Sequence, residues 1–180
     1  TMHLPPEEIV AGVLYQIGAL AAIVKAEGGR LAHVKPHGAL YNQAAQDAAL
    51  AGAIAQAVCD HDPGLVLYGL SGSALTAAGE RRGLKVAHEA FAERRYESDA
   101  SLTPRTHADA CLPSVEASVA QVTRMLREGA VVSRTGPPVP LQADSICLHG
   151  DRADAAAFAR ALREAIQAAG FAVRSMERRA

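Results

Sequence analysis

Hydrophobic residues recur along this chain in two alternating rhythms. Val10, Val13, Leu14, Ile17, Leu20 and Val24 stand three or four residues apart between Pro5-Pro6 and Gly28-Gly29. That spacing predicts an amphipathic helix from Pro6 to Ala26 with a proline start and a glycine stop. Leu31 to Val34 and Leu65 to Leu70 are short continuous apolar runs, and Lys85 to Phe91 and Ser145 to Leu148 read as further strands. Runs of this kind suit parallel strands buried on both faces. Helical stretches lie between them, from Gln43 to Val58, from Ser73 towards Gly83, through Val115, Val119, Val122 and Leu126 before Gly129, and from Asp151 to Gly170. Phe171 to Val173 reads as a short closing strand. Only Glu93 to Ala110 breaks the alternation, as a long polar loop of the sort that carries function at strand ends.

Such alternation predicts an α/β fold with a parallel sheet, either closed as a β/α barrel or open and doubly wound. A chain of 180 residues buries one sizeable core and reads as a single α/β domain over 1–180. The net charge is −1 with both signs interspersed, which leaves no electrostatic footprint for nucleic acid or an anionic membrane. Neither a leader-like segment nor an apolar run of bilayer-crossing length stands out, so the expected location is cytoplasmic. Cys59, Cys111 and Cys147 are odd in number and far apart, which fits small buried thiols rather than a disulfide framework or a cysteine zinc site.

The polar residues with chemistry to offer cluster where predicted strands end. Val34 to Asn42 combines Lys35, His37, Tyr41 and Asn42 at a strand-to-helix junction. Ser71 and Ser73 follow the second strand, Glu89, Glu93 and Arg94 the third, and His149 and Asp151 the fourth, while Arg105 sits in the long loop. In either architecture these strand ends face one rim, where α/β proteins bind ligands. His37 and His149 suit a base or acid near neutral pH. Lys35 suits an oxyanion or carboxylate, and Arg94 and Arg105 suit bidentate contact with carboxylate or phosphate. Each has a structural alternative: a hydrogen-bonded histidine at a strand end, a salt bridge on the rim, or a helix cap at Asn42, Ser71, Ser73 and Asp151. For His3, His33, His61, His88 and His107 the structural reading is preferred.

The runs Leu14 to Leu20, Val34 to Asn42, Gly69 to Ser73, Glu89 to Arg94 and Cys147 to Asp151 together resemble the LamB/YcsF family over essentially the whole chain. The combination "VKPHGALYN" with the downstream "HGD" is the specific part. The resemblance implies a β/α barrel of the deacetylase-like type. It also implies ATP-dependent opening of the 5-oxoproline lactam to glutamate, in company with two other 5-oxoprolinase subunits. ATP is then expected on the partner subunits, because no glycine-rich phosphate loop followed by Lys and Ser/Thr occurs here.

Carried onto this sequence, the resemblance implies catalytic roles for Lys35, His37, Glu93, His149 and Asp151. Tyr41, Asn42, Ser71, Ser73, Arg94 and Arg105 are then expected to bind substrate. Three family segments, Asp-Leu-Asn-Ala-Asp-Leu-Gly-Glu, His-Ala-Gly-Asp-Pro and Gly-Ala-His-Pro, have no counterpart in the sequence. The expectation is therefore an N-terminally truncated member whose barrel is incomplete, and whose exposed edges favour an oligomer or cover from another chain. Glu93 stands where the family has Asp, and Ala100 and Asp109 stand where it tends to have Gly. A divalent metal is plausible only by analogy with deacetylases. Two alternatives stay open: a stand-alone metal-assisted amidase or deacetylase, and a non-catalytic binding remnant.

Overall fold

Proline at the start, Glu7 and Glu8 in the first turn and Lys25 in the last suit the dipole of a helix, and in the computed structural model α1 runs Pro6–Ala26. The structure describes residues 4–151 and 153–176; His3 lies outside them. The described residues form two compact units, one of residues 4–87 with Met176 and the other within His88–Ser175.

In the first unit α1 packs on α3 (Ala48–His61) through Ile17, with Ile9 and Val13 partly buried beside it. The same helix leaves Tyr15, Leu20 and Ile23 exposed at 77%, 54% and 62%. By length and composition α1 is apolar enough to cross a membrane. This corrects the expectation that no such run exists: its charges stand near its ends, and alanine and glycine fill the gaps between the larger apolar residues. Strand β1 (His33–Val34) pairs in parallel with β2 (Val66–Leu70), with His33 opposite Val66 and Val34 opposite Leu67. The stretch read as one helix from Gln43 to Val58 is two helices, α2 (Gly38–Gln46) and α3. Asp47 separates them, because its carboxylate accepts from the backbone of Ala49 and Leu50 at 2.9 and 3.0 Å and so starts a new helix. Ser73 caps α4 (Ala74–Arg81) by accepting from Thr76 N at 3.4 Å.

Strand β3 (Lys85–Phe91) begins in the first unit and ends in the second, where it pairs in parallel with β6 (Ser145–Cys147). Helices α5 (Val115–Glu128) and α6 (Ala155–Ala168) pack together there, and Ala92, Val122, Phe158 and Leu162 form the core. Ser114 caps α5 and Gly129, at φ 60°, ends it in the left-handed conformation. An antiparallel pair missing from the sequence reading follows, β4 (Ala130–Val132) with β5 (Pro138–Pro140). The closing strand expected at Phe171 to Val173 is absent; Phe171 N instead bonds to Ile166 O at 3.1 Å and finishes α6. The fold is thus α/β with parallel strand pairs, as the alternation predicts.

The loop after β3 folds back on itself. Tyr96 bridges Leu102 in antiparallel fashion, Glu97 N bonds to Ser101 O at 2.8 Å, and Ala100 sits at the tip with φ 64°. Among the described residues Ala100 is the one non-glycine at positive φ, so the backbone there keeps a glycine-like bend while Asp109 does not. A Cβ in the left-handed region costs about 1–2 kcal/mol. Ala100→Gly is expected to raise stability by about 0.5–1 kcal/mol, read as a higher melting temperature; an unchanged or lower one contradicts the strain.

Candidate functional site

The register of β3 on β6 decides which polar residues meet. Phe91 lies opposite Cys147, and Ala92 N continues the ladder by donating to Cys147 O at 2.9 Å. Two residues beyond each member of that pair stand Glu93 and His149, on the same side of the pleat. Glu93, only 6% exposed, accepts through Oε1 from the His149 backbone N at 3.2 Å and from Nδ1 of its ring in a short hydrogen bond. The ring also lies against Phe91, with centroids 6.0 Å apart.

On the other side of the imidazole, Arg105 Nη2 stands 3.2 Å from Nε2. Guanidinium has donors and no acceptor, so Nε2 must be the acceptor and therefore carries no proton. The proton of the neutral ring is then on Nδ1, donated to Glu93. A base held in one tautomer by a buried carboxylate is the arrangement that makes histidine useful in proton transfer. The second oxygen of Glu93, Oε2, is buried and has no hydrogen-bond partner among the described residues.

These groups line a pocket of about 370 Å³, together with Cys111, Asp151 and Asp154. Its contents are one guanidinium, one imidazole, three carboxylates and a thiol, a set suited to a small polar molecule that both donates and accepts. Among the described residues no three His, Cys, Asp or Glu side chains lie close enough together to hold a metal ion.

Behind Glu93 the loop is fixed by buried polar contacts. Gln121, on α5, holds its amide nitrogen 3.2, 3.1 and 2.9 Å from the carbonyls of Phe91, Ala92 and Arg94. Tyr96 Oη accepts from Phe91 N at 2.7 Å, and burial pushes its phenol well above the ordinary value, so it stays protonated. Arg94 is buried, with Nη2 donating to the Thr103 carbonyl. Burial, reinforced by the nearby Arg105 charge, holds its guanidinium below the usual arginine range. Sequence reading passed over Gln121 and Tyr96. A signal for Gln121 existed: it falls with Ser118, Val122 and Met125 on the helix face that is otherwise inward.

Of the residues singled out from sequence, Glu93, Arg105, His149 and Asp151 come together here. In the first unit Lys35 Nζ stands 5.6 Å from the centroid of the buried Tyr41 ring, within cation–π reach. His37 is exposed and precedes α2 without a capping side-chain bond. Asn42 lies inside α2, donating to Gly38 O at 3.2 Å, so it is not that helix's cap. Ser71 is buried and Ser73 is the cap of α4. Asp151 does not cap α6 either; that position is Asp154.

Residues 1–180 match the model of the LamB/YcsF family throughout. The chain belongs to the LamB/YcsF family. It is 55% identical over 177 residues to the 5-oxoprolinase A subunit of Geobacillus kaustophilus, covering 98% of this chain and 69% of that protein. The corresponding A subunit of Bacillus subtilis 5-oxoprolinase is 54% identical over 172 residues, 96% of this chain and 67% of its own. A crystal structure of a lactam utilization protein from Thermus thermophilus superposes with a TM-score of 0.88 at 45% identity, covering 97% of this chain and 70% of that one. Both the family and the fold expected from "VKPHGALYN" and "HGD" therefore stand.

Gln121→Leu removes the donor shared by three carbonyls while keeping the side chain's bulk. We expect it to cost about 1–3 kcal/mol of stability, measured by denaturant unfolding. An unchanged midpoint would show that the loop behind Glu93 does not depend on it.

Proposed function

We propose that this LamB/YcsF chain is the A subunit of a 5-oxoprolinase, which hydrolyses the lactam of 5-oxoproline to L-glutamate with two other subunits. ATP is used by the complex and bound by those partners. The reading draws on the likeness to two proteins named as 5-oxoprolinase A subunits and to one named for lactam utilization. The observation that carries its chemistry is the Glu93–His149–Arg105 arrangement in a pocket of about 370 Å³.

Opening a lactam requires an activated water, relief of the charge that builds on the carbonyl oxygen, and a proton for the departing nitrogen. His149 serves the first and third needs. Its Nε2 takes a proton from water as the oxygen bonds to the carbonyl carbon, and it returns that proton to the ring nitrogen as the carbon–nitrogen bond breaks. Glu93 keeps the acceptor nitrogen turned to the pocket and stabilises the imidazolium in between. Arg105 matches the substrate carboxylate.

The test is glutamate formation from 5-oxoproline by the protein carrying this chain, together with both partner subunits and ATP. His149→Ala is expected to lower kcat by about 10²–10⁴-fold with its melting temperature little changed. A variant as fast as the wild type would remove His149 from the mechanism, and no glutamate from the wild-type complex would remove the function.

A further inference from the structure

The only basic nitrogen of His149 is already engaged. Nδ1 carries the proton given to Glu93, and Nε2 accepts from Arg105 at 3.2 Å, so the chain's own residues cover the base. The two partners that cover it differ in kind. Glu93 is buried and receives two hydrogen bonds from His149, whereas Arg105 is exposed and reaches the ring from the long loop after β3. A neutral imidazole is also a weak acceptor for a guanidinium compared with a carboxylate, which binds it through two charge-assisted bonds.

We propose that Arg105 is a specificity-determining residue that masks Nε2 of His149 until a carboxylate-bearing substrate draws the guanidinium onto itself. This deepens the lactam-hydrolase reading and rests on it. A neutral lactam of the same shape fits the pocket but offers the guanidinium no stronger partner, so Nε2 stays covered. Two further observations favour the exchange. The positive charge of Arg105 acts unfavourably on the buried Arg94 guanidinium, and a bound anion would offset it. The carboxylate of Glu93 makes its hydrogen bonds to His149 through Oε1, with Oε2 unpartnered among the described residues, and so keeps Nε2 ready as an acceptor once Arg105 leaves.

The experiment compares 5-oxoproline with its neutral carboxamide in the complete complex with ATP. The wild type is expected to favour the acid by at least roughly tenfold in kcat/KM. Arg105→Gln should lower the acid by roughly 10–100-fold yet raise turnover of the carboxamide, so that the preference collapses. Arg105→Lys should restore part of the preference. A purely structural role would lower both substrates in equal proportion, and that result, or an unchanged preference, overturns the proposal. If the wild-type complex turns over neither compound, the lactam-hydrolase reading fails by itself. The exchange is then read from the ¹⁵N signals of the His149 ring on adding 5-oxoproline or acetate. An Nε2 shift in the wild type that is lost in Arg105→Gln supports it, and the absence of any shift overturns it.

Discussion

The candidate site of this LamB/YcsF protein depends on one register. Because Phe91 pairs with Cys147 in a parallel ladder, the residues two steps beyond each strand, Glu93 and His149, come side by side. A shift of one residue on either strand would turn one of them to the opposite face. The hydrogen bond between them is therefore both a product of the sheet and the feature that fixes the tautomer of the imidazole.

A buried carboxylate is costly unless it is hydrogen-bonded, and here His149 supplies both donors to one oxygen while the other is left bare. Such a group needs rigid surroundings. Gln121 ties three successive parts of the turn after β3 to α5, and the protonated Tyr96 receives the backbone N–H of Phe91 from within the loop. Arg94 points its guanidinium into the same loop rather than to solvent. The buried side of the site is thus the Glu93 side, and the exposed side is Arg105, across the ring.

Much of the fold was legible because its boundaries are written in residue types with few other uses. Pro5-Pro6 began α1 and Gly129 ended α5, each where periodicity placed it. The errors also have physical causes. Asp47 looked like one polar position on a long helix, yet its side chain competes for backbone N–H groups and starts α3. Phe171 to Val173 has the composition of a strand, but its first N–H is taken by α6. Strand β5 begins and ends in proline, which argues against a strand unless it lies at an edge, so its pairing with β4 was not legible. For the site, polar residues after strand ends identified Glu93, His149, Asp151 and, from the loop, Arg105. Which of these touch depends on register and loop path, and neither is written in local spacing.

The most direct measurement is a double-mutant cycle on glutamate formation from 5-oxoproline, with Glu93→Gln, His149→Ala and the two combined. If Glu93 acts by holding His149 in its working tautomer, it has little left to do once the imidazole is gone, and the double variant is expected to be no slower than His149→Ala alone. Losses that simply multiply would mean that the two residues act independently, and would contradict the account.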